Sequence, residues 1–258
     1  MAAQKYLVNF ATLGFLRSQW RLNKSAKKFG IDKTISYFAW SIKNTSFYKE
    51  NKKILDQKRG SGLWLWKPYI ILETLNNIKH GDFLIYADSG IEVIADLSPL
   101  SDISFEKGAM LFICPSQINK TWTRRDCFVL MDCDEEKYWS GQQTNGAFQC
   151  FIKNDKNIDF VREWLRYCQN PNVLADIPNI CGKPNFPEFK DHRHDQSVLS
   201  LLAIKYQQEI FRDPSQWGNY IKMQEFRVKG EFIQCPYSDE PYINSPYTTL
   251  FDHHRRHD

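Results

Sequence analysis

Apolar positions along the chain recur at two periods, and the changes between them mark out the elements. Tyr6 to Ala11 is a short apolar run that reads as a first strand, and the stretch around Phe15 to Phe29 has helical spacing. Lys33 to Ala39, β-branched and aromatic, predicts a second strand. A Lys-rich helical region follows, then a turn at Lys58-Arg-Gly-Ser-Gly62. Trp66-Lys-Pro68 opens the next helix, with Pro68 suited to a first helical position and Ile71, Leu72 and Leu75 on one face. Phe83 to Ala87 is a continuous apolar run, as expected of a strand buried on both faces. It stops abruptly at Asp88-Ser-Gly90.

The second half continues in the same manner. Met110 to Cys114 and Phe148 to Ile152 read as strands. Ile158, Val161, Trp164, Leu165 and Cys168 form one face of a helix. Asn170 to Pro187, with four prolines and one glycine, predicts a long irregular loop. Asp195 begins a helix through Val198, Leu199, Leu202 and Ile204, and the last thirty residues look mostly irregular. Alternating strands and helices predict an α/β sheet with crossover helices. No repeat, low-complexity segment or linker divides the chain, so one domain is expected over 1–258.

Composition narrows this picture only in places. The 258 residues are long enough to bury a sizeable core. Seven cysteines, an odd number with no Cys-x-x-Cys spacing, suggest neither a disulfide framework nor a structural zinc site. The N-terminus has no signal-like apolar run, and no stretch approaches the roughly 18 apolar residues of a membrane span. A cytoplasmic protein is therefore expected. Charge is unevenly placed: between Arg17 and Arg59 many Lys and Arg face only Asp32, Glu50 and Asp56. That segment is expected to be a solvated face, or one that attracts an anionic partner such as a lipid-linked acceptor at a membrane surface, with peripheral membrane contact, or the donor diphosphate. Nucleic acid is not expected as a partner, because no recognised binding module accompanies the charge.

Asp88 is the most informative single position. Ligand sites in open α/β sheets lie at the carboxyl ends of strands, and a carboxylate there suits a divalent cation. Asp-Ser-Gly serves equally well as a turn ending a strand. Asp195, just before an apolar helical run, is a candidate helix cap as well as a candidate catalytic group. Asn145-Gly146 is a strong hairpin signal, and Lys67 reads as a surface lysine or as a cation for a ligand.

Taken together, the stretch Gly62-Leu-Trp-Leu-Trp-Lys-Pro with Gly81-Asp-Phe-Leu-Ile-Tyr-Ala-Asp-Ser-Gly90 resembles GT-A glycosyltransferases, where a strand ends in an Asp-x-Asp motif. Thr144-Asn-Gly-Ala-Phe148 is similar to the Asn-Ala-Gly segment of family 8 and related galactosyl- and glucosyltransferases. Asp195-Gln-Ser-Val-Leu199 is similar to their Asp-Gln-x-x-Leu helix start. The resemblance spans Gly62 to Leu202 and implies a Rossmann-like, mixed, mostly parallel sheet. It implies a nucleotide-binding half over 1–115 and a sugar- and acceptor-binding half over 116–258. A nucleotide-sugar donor, UDP-sugar first, would pass its sugar to a hydroxyl of a glycan or lipid-linked glycan with help from Mn²⁺ or Mg²⁺, with retention of anomeric configuration. Phe10, Ala11 and Thr12 would contact base or ribose. Lys67 would offset diphosphate charge, and Asp88 with Ser89 would hold metal and donor. Asn145 and Gly146 would line the donor sugar, and Asp195 and Gln196 would face the reacting centre.

Two departures bear on that picture. Position 90 is Gly where the motif has its second carboxylate, so the metal site would pass through the backbone at Gly90 or recruit Glu92. The family's C-terminal metal-binding His segment is absent. The ending His253-His-Arg-Arg-His-Asp258 is its candidate substitute, with His254 for the metal and Arg255 for the diphosphate; a frayed, solvated tail is the competing expectation. Two other functions stay open: a metal-dependent phosphoester or nucleotide-sugar hydrolase using Asp88 and the His192-His194 pair, and a non-catalytic sugar- or partner-binding protein.

Overall fold

The computed structural model describes residues 3–218, 224–228, 231–235 and 243–254. Strands β1 (Lys5–Ala11), β2 (Lys33–Phe38), β3 (Phe83–Ala87), β4 (Ile91–Val93), β5 (Ala109–Ile118), β6 (Gln142–Ile152) and β7 (Ile210–Phe211) come first. They are followed by β8 (Gln224–Val228), β9 (Glu231–Cys235) and β10 (Phe251–His253). Six of them form one sheet in the order β2-β1-β3-β6-β5-β7. β2, β1 and β3 run parallel, β6 lies antiparallel to β3 and β5, and β7 is parallel to β5. The sheet is mixed and mostly parallel, as expected.

Alternation along the strands builds two apolar layers. Leu7, Phe83, Ile85 and Phe112 point to one face, where Leu22 and Ala26 of the Leu16–Lys28 helix and Phe251 cover them. Val8, Leu84, Tyr86 and Leu111 point to the other, against the helices Trp66–Asn77, Asp155–Cys168 and Asp195–Lys205. Phe83 to Ala87 is buried throughout, which is why that run lacks alternating polarity.

The Lys-rich region is helical as expected, in three short helices, Ala39–Lys43, Ser46–Glu50 and Lys52–Leu55. Several expectations are corrected. Asn145-Gly146 is no hairpin: both residues lie inside β6, which is buried between β3 and β5 and begins well before Phe148. Burial on both faces there outweighs local turn preference. Pro68 is the third residue of its helix rather than the first. The loop after Asn170 contains a short helix, Pro171–Leu174. The last thirty residues hold β9 and β10, and β10 pairs with β4 while Phe251 is wholly buried, so the chain is packed through His253; positions 255–258 of the expected frayed ending lie outside the described residues. Cys127, Cys133, Cys150 and Cys168 are buried free thiols. Among the described residues, no helix is long and apolar enough to cross a membrane.

Candidate functional site

At the carboxyl ends of β1 and β3 the sheet opens into a cavity of about 930 Å³. It is there because the strands stop and the chain turns away from both sides of the break. Ser89, just past β3, donates its hydroxyl to the Phe10 carbonyl at 2.6 Å, tying the two strand ends together. The backbone N–H of Asp88 reaches the Ala147 carbonyl of β6 at 2.8 Å, so the loop is held from both neighbours.

Lys67 organises the interior. It projects from the second residue of its helix and is almost fully buried. Its ammonium lies 2.9 Å from an Asp195 carboxylate oxygen and 3.7 Å from Asp88, and donates to the Gly146 carbonyl at 2.7 Å. Burial works against the charge, but the two carboxylates outweigh it and hold the ammonium above its usual range. Lys67 is thus not a surface lysine: it lines the cavity with its charge held between Asp195 and Asp88. Burial lifts the Asp195 carboxyl to about 6, with Lys67 opposing and Asp88 adding. At neutral pH both partners are ionised. Asp88 is the more open of the two carboxylates at 38% exposed, and accepts a hydrogen bond from the Tyr86 hydroxyl.

Asp195 is the first residue of its helix and not the cap. The cap position is His194, which supplies no capping side chain and carries a left-handed φ of 50°. That conformation costs a non-glycine residue energy. It is held by the His194 Nδ1–H, which donates to the Leu174 carbonyl at 2.8 Å, and by the Trp64 ring 5.5 Å away. His192 is buried beside it. Its Nδ1 accepts from the Arg124 backbone N–H at 3.2 Å and its Nε2–H donates to the Val173 carbonyl at 2.9 Å. With both ring nitrogens engaged by backbone, His192 has no lone pair to offer a metal, which removes the His192-His194 pair as a hydrolytic centre.

A chain of amides supports the opposite wall. The Gly146 N–H donates to Gln196 Oε1 at 3.3 Å, and Gln196 Nε2 donates to Gln143 Oε1 at 3.1 Å. Gln143 Nε2 donates in turn to Asn119 Oδ1 and Thr123 Oγ1 at 2.8 and 3.0 Å, and Asn119 Nδ2 ends the run at the Tyr138 carbonyl. A β-carbon at Gly146 would lie 3.2 Å from the Gln196 side chain, so glycine permits this close approach. Asn145 donates to the carboxylate of Asp213 at 2.8 Å. Asp213 also takes the Ser215 N–H and hydroxyl, and burial lifts it to about 6.

The near rim is a left-handed turn. Gly60, Ser61, Gly62, Leu63 and Trp64 all have positive φ. Three of them are not glycine, each strained by on the order of 1 kcal/mol. The turn is fixed by Gly62 N–H to the Gln57 carbonyl, Leu63 N–H to the Arg59 carbonyl and Trp66 Nε1–H to the Gly60 carbonyl. It presents Arg59, Trp64 and Trp66 to the cavity, where Trp66 stacks on Phe10 at 4.0 Å. Arg59 pairs with Asp191 at 2.6 Å and Asp176 at 2.9 Å.

The cavity brings together Phe10, Thr12, Lys67, Asp88, Ser89, Gly90, Asn145, Gly146, Asp195 and Gln196. Ala11 is buried in β1 behind them. From the C-terminal segment it is His253, not His254, that lines the wall, because β10 sets His253 opposite Ile91, just after Gly90. Glu92 lies at the centre of β4, opposite Asp252. Arg255 lies outside the described residues. Among the described residues no three His, Cys, Asp or Glu side chains gather into a ready-made metal site. Sequence reasoning missed Arg59, Arg193 and Asp213, all on the cavity wall. The Gly60-Ser-Gly62 pair, a signal for unusual backbone, was the one visible clue to the rim.

No protein-family model matches the chain, and no curated protein matches it by sequence. Among solved structures it is similar to mouse xyloside xylosyltransferase 1, with 12% identity, a TM-score of 0.48 and coverage of 97% of each chain. It is also similar to the WbbM bifunctional glycosyltransferase, with 9% identity, a TM-score of 0.45 and coverage of 78% of this chain and 38% of that one. A third is the glycosyltransferase GlyE of Streptococcus pneumoniae TIGR4, with 14% identity, a TM-score of 0.40 and coverage of 82% and 46%. The chain therefore spans less than half the length of WbbM and GlyE. At these scores the likenesses assign no activity.

Proposed function

We propose that the protein is a glycosyltransferase of GT-A type that moves a sugar from a nucleotide-sugar donor, UDP-sugar first, to a hydroxyl acceptor such as a glycan. The observation that carries the reading is the buried Lys67 ammonium binding Asp195, Asp88 and the Gly146 carbonyl into one unit at the strand ends of a large, aromatic-walled cavity. Aromatic faces at Phe10, Trp64 and Trp66 suit a base and sugar rings. Asp195, ionised at neutral pH and fixed by Lys67, would stabilise positive charge developing at an anomeric carbon. As the bond from that carbon to the diphosphate breaks, its electron pair stays on the phosphate oxygen. The acceptor oxygen bonds the carbon and passes its proton to the departing phosphate oxygen.

Asp88 and His253, a carboxylate and an imidazole on the same wall, fit a divalent cation that takes its other ligands from diphosphate and water. Such a cation would neutralise charge on the leaving group. The remaining cations of the wall, Lys58, Arg59 and Arg193, suit phosphate oxygens. The glycine at position 90 favours a second reading, a protein that binds the donor without turning it over. Calorimetry with UDP-, GDP-, ADP- and CMP-sugars, with Mn²⁺ and in EDTA, tests both readings when followed by product analysis. Failure of every nucleotide sugar to bind would overturn the proposal. Binding without transfer to any acceptor, or with hydrolysis alone, would select the binding protein or the hydrolase.

A further inference from the structure

The helix Leu16–Lys28 has a face that neither the core nor the cavity uses. Its inner side, Ser18, Gln19, Leu22, Ser25 and Ala26, is buried against the sheet. Arg17, Trp20, Lys24, Lys27 and Lys28 fall at the complementary helical positions and are exposed. The helix contains no acidic residue. Solvated helices ordinarily intersperse opposite charges at i and i+4. Here four exposed cations, Arg17, Lys24, Lys27 and Lys28, stand together on a helix with no acidic residue, and the large apolar residue among them, Trp20, is 64% exposed.

Two more exposed apolar residues gather at the same end of the sheet. β1 and β2 run parallel in register, with Ala11 opposite Phe38, so Leu13 and Trp40 each lie two residues beyond neighbouring strand ends. Leu13 is 75% exposed and Trp40 48%. Trp40 stacks on Phe38 with ring centroids 4.4 Å apart. The Gln19 amide donates to the Tyr37 carbonyl at 3.2 Å, which brings the first turns of the helix, Trp20 included, to that strand end. The Lys24 ammonium lies 5.0 Å from the Trp20 ring. Exposed aromatic side chains interleaved with lysine and arginine, on an amphipathic helix of one charge sign, match the interfacial region of an anionic bilayer.

We propose that this face docks the protein on an anionic membrane surface, with Leu13, Trp20 and Trp40 entering the headgroup region and Arg17, Lys24, Lys27 and Lys28 facing acidic lipids. Phe10, Thr12 and Phe15, from the same strand end and its continuation, line the cavity, so a docked bilayer adjoins its mouth. The proposal concerns a surface and needs no nucleotide, metal or turnover.

Sedimentation of the purified full chain with phosphatidylcholine vesicles, with and without phosphatidylserine, tests it. Binding is expected to the anionic vesicles and not to the neutral ones, and to fall steeply with added salt. Each cation near the surface is expected to contribute about fivefold, so Lys24→Glu with Lys27→Glu should weaken binding more than twentyfold. Trp20→Ser with Trp40→Ser should weaken it at low and high salt alike, because that contribution is apolar. Lys137→Glu, half that charge change at an exposed position on another helix, should leave it unchanged. All four face positions are exposed, so melting temperatures should be unaltered. Absence of binding to anionic vesicles would overturn the proposal. So would binding that the Trp pair does not alter, or stronger retention by single-stranded RNA than by vesicles, which would make the face a polyanion site.

Discussion

At the scale of single residues, Lys67 and Asp195 form an ion pair with both side chains buried. Removing one charge from a buried pair strands the other, at a cost of about 3–5 kcal/mol. Lys67→Met is expected to lower stability by that amount in urea unfolding, and adding Asp195→Asn should recover much of it. Recovery of nothing would mean that Lys67 acts through Asp88 instead. Asp195→Asn alone should abolish most turnover while nucleotide affinity changes little. Wild-type activity should rise with pH through about 6, as the carboxylate ionises. Burial also holds Asp213 at about 6 against an ordinary 3.8. The folded state therefore keeps this proton where the unfolded chain has released it. The stabilisation is complete below the unfolded value and is lost as pH climbs towards 6. Asp213→Asn should flatten that part of the stability–pH profile, measured by denaturation between pH 4 and 6.

The elements show what local sequence does and does not reveal. Asp88 and Asp195 were legible because each sits where one hydrophobic pattern ends or begins. β6 was only half legible: Thr144-Asn-Gly146 has the composition of a turn, and only its place between β3 and β5 makes it a strand. Asp213 was invisible in Arg212-Asp-Pro214, which reads as surface loop, because its partner Asn145 is 68 residues away. His194 gave no sign of its left-handed φ, since that strain is imposed by contacts with Leu174 and Trp64. The Gly60–Trp64 turn had a visible glycine pair but no visible handedness. At Gly62, φ is 102° and a β-carbon would lie 2.7 Å from the Leu55 backbone. Gly62→Ala should cost more than about 1 kcal/mol in thermal unfolding and displace Trp64 from the cavity. A stable variant with unaltered nucleotide binding would show that the turn is not needed in this form.

For the molecule as a whole, the sheet was predictable and its closure was not. Crossover helices and parallel strands follow from alternating periods, whereas β10, three residues long, is specified by its pairing with β4 and by the burial of Phe251. That strand carries His253 to the cavity. Cutting the chain after Leu250 should therefore lower the melting temperature by on the order of 10 °C, the loss expected for a buried Phe in a domain of this size. His253→Ala should leave the melting temperature nearly intact and reduce the gain in nucleotide affinity from Mn²⁺. An equal Mn²⁺ effect in the variant would take His253 out of the cation site.

The amide run from Gly146 to Tyr138 has a direction. A backbone N–H at one end can only donate and a backbone carbonyl at the other can only accept, so every side-chain amide between them must point the same way. Gln196, Gln143 and Asn119 behave like words in a sentence whose order is fixed by its first and last. Swapping one amide for its isosteric acid does not remove one bond; it reverses the polarity of a link that neither neighbour can reverse in answer. Drift at these three positions is thereby correlated: a change tolerated at one should be tolerated only alongside a change at the next. Relatives of this protein should carry the run whole or replace it whole.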